Sequence, residues 1–290
     1  QTAQRCRDWL GVEPGIIGAG KWDVKPITVA MIQTLTRRPE AKELRDLFGC
    51  VICDESHHAC CATWIAAMNL FRARYKYGVT ATPWRKDKLE QMMWLTLGPI
   101  VATISQKDVV AHGSVIKPLF EVVNTPFEFD LQDPKDWTKM ITTLVRDENR
   151  NNLIAGVVDA QRHDARVLVL TDRIDHAYRL GDLTNALVLT GDLPKKELRL
   201  RMETMRAGVP VTIATAALMG EGIDVPGWDV LVLASPFAGG PKTLQAVGRV
   251  CRAAKDKTSA TVIDICDPLV PALMNARYAR QAALRKGGVI

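Results

Sequence analysis

Val51-Ile52-Cys53-Asp54-Glu55-Ser56-His57-His58 is the stretch on which the reading of this chain turns. A short apolar run passes straight into two carboxylates, which predicts a buried strand with Asp54 and Glu55 at its carboxyl end. Open α/β sheets bind their ligands at that edge. Two adjacent acids there can divide a task, one holding a divalent metal while the other orients a water for attack on a phosphate. Taken alone, the pair would serve equally well as surface caps, so the rest of the chain has to decide.

Working outward, brief apolar runs alternate with amphipathic stretches. Strands are predicted at Ile27–Ile32, Cys50–Cys53, Tyr77–Thr80, Val167–Thr171, Ala186–Leu189, Val211–Ala214, Val230–Leu233 and Ala260–Ile265, and helices at Ala62–Phe71, Ile174–Leu183, Lys195–Arg206 and Thr243–Val250. This alternation predicts α/β architecture with parallel sheets. The regularity breaks between Trp84 and Asp136, where Pro99, Pro118, Pro126 and Pro134 punctuate partly β-like sequence. The expected organisation is a first domain over 1–115, a linker over 116–140 and a second domain over 141–290.

The 290 residues suffice for two domains, and 47% hydrophobic with 24% charged residues is ordinary globular composition, which excludes a disordered or collagen-like chain. No stretch approaches the run of about eighteen apolar residues that a membrane span needs. Gln1 to Asp8 lacks the apolar core of a signal peptide. Lys plus Arg exceed Asp plus Glu by 38 to 32, a net +6 compatible with a polyanionic partner but too modest to identify one. Seven cysteines without a leader suggest a reducing, intracellular, cytoplasmic setting. Cys50, Cys53, Cys60 and Cys61 invite a zinc reading. However, residues three apart on a strand point to opposite faces, so buried structural thiols are expected instead.

Three further segments carry chemistry. Thr80-Ala81-Thr82-Pro83 directly follows a strand, and its short hydroxyl residues can link a phosphate site to a neighbouring domain. Gly220-Glu221-Gly222-Ile223-Asp224-Val225-Pro226 follows the strand ending at Thr215; its glycines let backbone approach a ligand, and Asp224 can meet a ribose hydroxyl. In Gln245-Ala246-Val247-Gly248-Arg249-Val250-Cys251-Arg252, a helix would project Gln245, Arg249 and Arg252 from one face, a phosphate-facing surface with Gly248 leaving room beside it. A solvated basic stripe would read similarly, but it would not explain a glycine that costs about 1 kcal/mol in a helix interior.

In order and spacing, these segments resemble motifs II, III, V and VI of the superfamily 2 helicases, and Val167-Leu168-Val169-Leu170-Thr171-Asp172-Arg173 resembles the motif IV strand. The wording around them is similar to the DExH branch that includes XPB-like repair helicases, phage branch-migration helicases and restriction-enzyme motors. The resemblance implies two RecA-like parallel-sheet domains. It also implies ATP and Mg²⁺ as cofactors, DNA rather than RNA as substrate, and a bacterial or phage source. It implies that Asp54 holds Mg²⁺ through water and that Glu55 activates the attacking water. His57 with Thr80, Ala81 and Thr82 would couple nucleotide state to nucleic acid. Gln245, Arg249 and Arg252 would reach the γ-phosphate, and Gly222 and Asp224 would complete the nucleotide side. Gln33, Thr190, Gly191 and Thr215 would contact nucleic acid through its backbone.

One expected part is absent. Gly15-Ile16-Ile17-Gly18-Ala19-Gly20-Lys21 matches the phosphate-binding loop until Trp22 stands where its hydroxyl belongs, and Pro26 forbids the helix that should follow. We read it as a decoy. The expectation is a first domain incomplete at its N-terminus, with unpaired strand edges in 1–110 and weak hydrolysis by these residues alone. The alternatives are a nucleic-acid-binding relic of a motor and the motor part of a restriction enzyme.

Overall fold

A computed structural model describes residues 2–80, 90–104, 108–109, 113, 115–220, 227–237, 241–254, 257–286 and 288. The chain divides into two compact units, Gln1–Thr103 and Ile104–Ile290.

The first unit opens with the helix Thr2–Leu10 and a small sheet of β1 (Gly15–Gly18), β2 (Lys21–Trp22) and β3 (Thr28–Ala30), in the order β2-β1-β3. β1 and β2 are antiparallel, joined by Ala19 and Gly20. Both residues have positive φ (49° and 81°), which is the two-residue hairpin turn whose twist matches its strands. Gly15 to Lys21 is therefore strand, turn and strand, and it lacks the helix a phosphate loop would lead into. The helix Ile32–Arg37 then takes over where sequence periodicity had extended the strand to Ile32.

β4 (Cys50–Cys53) and β5 (Tyr75–Gly78) pair in parallel, with Cys50 opposite Tyr75 and Cys53 opposite Gly78. The helix Ala62–Leu70 lies between them in sequence. Alternation along β4 points Val51 and Cys53 toward Ala67 and Met68. It leaves Ile52 68% exposed on the other face, beside Tyr75 and Tyr77, whose rings stack 6.3 Å apart. Among the described residues no third strand joins this pair. Cys53 is buried and its thiol is pushed up to about 11 by desolvation, as a structural thiol would be. Cys50 and Cys61 depart from that expectation and are exposed. Cys50 shares the open face of Ile52, and Cys61 sits at the start of a helix.

The second unit is built on a six-stranded, all-parallel sheet: β6 (Leu119–Asn124), β7 (Val167–Thr171), β8 (Leu187–Leu189), β9 (Val211–Thr215), β10 (Val230–Leu233) and β11 (Thr261–Cys266), in the order β6-β11-β10-β7-β9-β8. The β-branched and leucine runs of β7, β9 and β10 are buried on both faces, as helix-covered parallel strands require. One face packs Leu168, Leu170, Leu231 and Val247, the other Val169, Leu180, Ile213 and Val232. The strand order turns round between β7 and β10, the position at which open α/β sheets form a crevice. Residues 116–140, read as a linker, contribute β6, the edge strand paired to β11.

One expectation needs correction. The helix Pro241–Val250 stops before Arg252, which forms an isolated antiparallel bridge with Val115. The Ile116 amide donates to the Cys251 carbonyl at 2.7 Å, drawing this stretch out of the helical path. Arg252 therefore does not continue the helix face of Gln245 and Arg249. The basic segment Arg277 to Lys286 is helical within Pro271–Lys286, and its Arg280 is buried against Asp264 at 2.7 Å.

Candidate nucleotide and nucleic-acid sites

In the first unit, Asp54 and Glu55 leave the carboxyl end of β4 with exposed side chains. The backbone there is turned sharply. Glu55 adopts the left-handed conformation (φ 49°, ψ 44°), which costs a residue with a side chain about 1–2 kcal/mol. Several bonds hold it. The Glu55 amide donates to Asp54 Oδ1 at 2.9 Å, the Ser56 amide to the Val79 carbonyl at 3.0 Å, and the Val79 amide to the Cys53 carbonyl at 2.9 Å. Ser56 is buried against Gly78, where an added Cβ would stand 2.8 Å from Ser56 Oγ and 2.7 Å from Leu97 Cδ1. His57 Nδ1 lies 3.2 Å from Glu55 Oε2 and 3.1 Å from Thr80 Oγ1. The structure thus joins Asp54, Glu55, His57 and Thr80 in one constellation at the ends of β4 and β5. Ala81 and Thr82 lie outside the described residues.

The donor set fits a hydrated divalent cation and a water. Asp54 presents an exposed carboxylate fixed by the backbone of its neighbour, and Glu55 presents a second one steered by His57. Among the described residues no group of three His, Cys, Asp or Glu residues forms an all-protein metal cage. A Mg²⁺ held by one carboxylate, waters and phosphate oxygens needs none.

In the second unit, Gln245 and Arg249 line a small cavity with Leu168, Leu170, Ala216, Met219 and Ala246, so they share one helix face as expected. An Arg249 guanidinium nitrogen donates to the carbonyl of Met219. Met219 lies in the short helix Ala216–Gly220, just ahead of Gly222 and Asp224, both of which lie outside the described residues. Nothing lies within 4 Å of a Cβ built on Gly248, so there is open space beside these side chains.

The nucleic-acid candidates differ in exposure. Gln33 is exposed on the helix Ile32–Arg37, and Gly191 is exposed in a turn. Thr215 is only 5% exposed, and Thr190 is fully buried with its hydroxyl 3.1 Å from that of Tyr178. At 0% exposure Thr190 presents neither side chain nor backbone to a ligand.

Sequence reading missed the polar network under the carboxyl ends of β7, β10 and β11. Thr171 Oγ1 is 2.8 Å from both His176 Nδ1 and Ser235 Oγ, and His176 Nε2 is 3.0 Å from Asn151 Oδ1. Ser235 Oγ accepts from the Asp172 amide at 3.0 Å. Burial, with Arg150 and Arg179 nearby, pushes His176 down to about 3, so its imidazole is neutral. Arg150 pairs with Asp267 at 2.7 Å in full burial, and Thr125 donates to the same carboxylate at 2.6 Å. Asp264 and Asp267, acids inside the apolar run Val262-Ile263-Asp264-Ile265-Cys266-Asp267, were the signal that buried arginines would follow.

Residues 4–85 match the family model described as "Type III restriction enzyme, res subunit", and residues 149–254 match "Helicase conserved C-terminal domain". Together the two matched stretches make the chain similar to the superfamily 2 helicases. Similar curated proteins include "Probable helicase D10" of Escherichia phage T5, 26% identical over 271 residues that cover 91% of this chain and 58% of the phage protein. Another is "DNA 3'-5' translocase XPB2" of Sulfurisphaera tokodaii, 26% identical over 305 residues covering 91% of this chain and 69% of that protein. The chain thus spans 58% to 69% of the lengths of these helicase relatives. Among solved structures, Saccharomyces cerevisiae Dbp5 bound to RNA and ADP BeF3 shares the fold with a TM-score of 0.67 and 13% identity, covering 100% of this chain and 72% of its own. The Pyrococcus furiosus Hef helicase domain shares it at 0.56 and 14%, covering 91% and 83%. The chain thus has the two-domain α/β architecture of this helicase superfamily. No helix among the described residues is long and apolar enough to cross a membrane.

Proposed function

We propose that this helicase-family chain is the motor of an ATP-driven DNA translocase of the DExH type. The observation that carries the reading is the constellation at the ends of β4 and β5, where Glu55 and Thr80 meet on one nitrogen of His57. A carboxylate placed to deprotonate a water is thereby tied to the segment that leads toward the rest of the motor. In this reading Asp54 holds Mg²⁺ through water, and the cation supplies charge neutralisation at the phosphates when bound. Glu55 orients and deprotonates the attacking water, and His57, Thr80, Ala81 and Thr82 report nucleotide state. Gln245 and Arg249 act on the γ-phosphate, a contribution worth roughly 10³–10⁵ in rate for an arginine supplied in this way. Arg252 assists from beyond the helix end, and Gly222 and Asp224 complete the nucleotide contacts. Gln33, Gly191 and Thr215 hold nucleic acid through phosphates, without sequence preference.

DNA is favoured over RNA because one of the curated relatives is named a DNA translocase. An intracellular setting and a role in repair or phage DNA metabolism are part of the same reading. A restriction-enzyme motor is the second reading, favoured by the family model matched over residues 4–85. Because Gly15 to Lys21 is a hairpin, this sequence match is not built as a phosphate-binding loop. Hydrolysis is therefore expected to be weak in this chain and strong in a longer form that carries such a loop.

The deciding experiment is DNA-stimulated ATP hydrolysis by both forms, with and without Glu55→Gln, alongside oligonucleotide binding at increasing salt. Hydrolysis by the longer form that Glu55→Gln abolishes supports the motor. Salt-sensitive binding with no hydrolysis in either form would replace it with a nucleic-acid-binding relic.

A further inference from the structure

Two buried arginines converge on the turn that follows β10. Arg150 donates through Nη2 to the Ala234 carbonyl at 2.9 Å, while Nε and Nη2 engage the Asp267 carboxylate at 2.7 and 3.1 Å. Arg280 donates through Nη1 to the Phe237 carbonyl at 2.6 Å and through Nη2 to Asp264 Oδ1 at 2.7 Å. The two arginines come from different helices, Glu148–Gln161 and Pro271–Lys286, and their carboxylates stand three positions apart at the end of β11 and just beyond it. Both are at most 1% exposed. Between the two carbonyls, Ser235 is bound through its hydroxyl to Thr171. The last sheet bond before the turn is from the Ala234 amide to the Leu170 carbonyl, so from Ser235 onward the sheet ladder no longer holds the chain. Four residues after Phe237 begins the helix that carries Gln245 and Arg249.

A stability role alone does not explain this pattern. Buried ion pairs contribute little net stability over apolar residues of similar volume. Burial asks only that each guanidinium find a counterion and acceptors for its N–H groups, from any element. Instead each guanidinium uses its planar fork to bridge a carboxylate and one carbonyl of the same short turn, a geometry that a lysine ammonium does not reproduce. We propose that Arg150 and Arg280, each oriented by its aspartate, are positioning residues that fix the turn after β10, residues 234–237, ahead of the helix Pro241–Val250. Through it they fix the placement of Gln245 and Arg249. The importance of that placement rests on the motor reading above, but the mechanical claim does not.

The test is amide hydrogen exchange, read by mass spectrometry, on the full chain and on two variants. Arg280→Lys keeps a cation beside Asp264 and loses the fork. The double variant Arg280→Met with Asp264→Leu replaces the buried pair with apolar residues and removes the tether to Phe237. In both, amides of Pro241–Val250 should exchange at least roughly ten-fold faster, while those of Ile174–Thr184 keep their rates. Unchanged protection of Pro241–Val250 in either variant overturns the proposal. So does an acceleration spread equally over both helices, which is the mark of a general loss of stability. If the double variant does not fold, Arg280→Lys decides by the same readout. Absence of ATP hydrolysis in every form would remove the motor reading and leave the exchange result standing.

Discussion

Glu55 and Thr80, twenty-five residues apart, meet on the same nitrogen of His57, at 3.2 Å and 3.1 Å. Whichever partner holds that nitrogen, the carboxylate and the hydroxyl compete for it, so a shift at Thr80 is felt at Glu55. Glu55→Gln removes the base but keeps the shape. Its side chain is 48% exposed, so stability should stay within about 0.5 kcal/mol. Hydrolysis by an ATP-competent form should fall about 10²–10⁴-fold, the usual worth of a general base. Thermal melting and a phosphate-release assay check the two halves.

Gly78→Ala should destabilise the first unit. The new methyl would stand 2.7 Å from Leu97 Cδ1 and 2.8 Å from the Ser56 side chain, a clash of the kind that costs about 1–3 kcal/mol. Because Ser56 carries the turn that holds Asp54 and Glu55, nucleotide-dependent activity should fall with it. A urea melt followed by hydrolysis measurements shows whether both are lost together.

Gly248→Ala should do the opposite to stability. The position is helical with nothing within 4 Å of the added carbon, so about 0.5–1 kcal/mol of stabilisation is expected from helix propensity. If the space beside Gln245 and Arg249 receives phosphate, the same variant should weaken nucleotide binding. A variant that is more stable and binds ATP equally well would show that the space is not used.

Asp267→Ala leaves Arg150 buried without its counterion and strips Thr125 of its acceptor. Breaking a buried pair from one side costs about 3–5 kcal/mol, which a denaturant titration of the second unit would reveal.

Acid should weaken the second unit through His176. Its folded value of about 3 lies below the ordinary histidine value, so the unfolded chain binds the extra proton between the two. Stability contributed by this group is full above about pH 6.5 and declines as pH falls toward about 3, by at most about 1.4 kcal/mol per pH unit. Asp264, raised above the ordinary carboxylate range by burial, works in the opposite sense at the acid end. His176→Gln should flatten the decline between pH 6 and pH 4.5 (roughly the window in which a free histidine is mostly protonated while the folded one stays neutral), as followed by melting temperature.

Much of this was legible in the residues. The run Val230–Leu233 has the predicted bounds, because a buried parallel strand leaves a continuous β-rich signature between turns, and Cys50–Cys53 keeps its predicted bounds although one of its faces is open rather than buried. The carboxylates of Asp54 and Glu55 stand at a strand end because the sequence changes from apolar to acidic at a single peptide bond. What stayed hidden depends on contacts between distant residues. The period that puts Arg252 on a helix face could not register the pull of Val115, 137 residues earlier. A basic run such as Arg277 to Lys286 looks solvated until Asp264 is seen beneath it. The bound hydroxyl of Thr190 is equally invisible without Tyr178.

The pairing of β6 with β11 also has a consequence for how the protein is made. β6 leaves the ribosome well before β11, its partner strand among the described residues, and Thr125 waits for Asp267, 142 residues later. At translation speeds of about 5–20 residues per second, that is a wait of roughly 7–30 s. During it, the row of amides and carbonyls along Leu119–Asn124 is open to any passing strand. The edge strand of the finished sheet is thus the segment of the nascent second unit most in need of a chaperone, and slowing synthesis past residue 124 should lower the yield of folded protein.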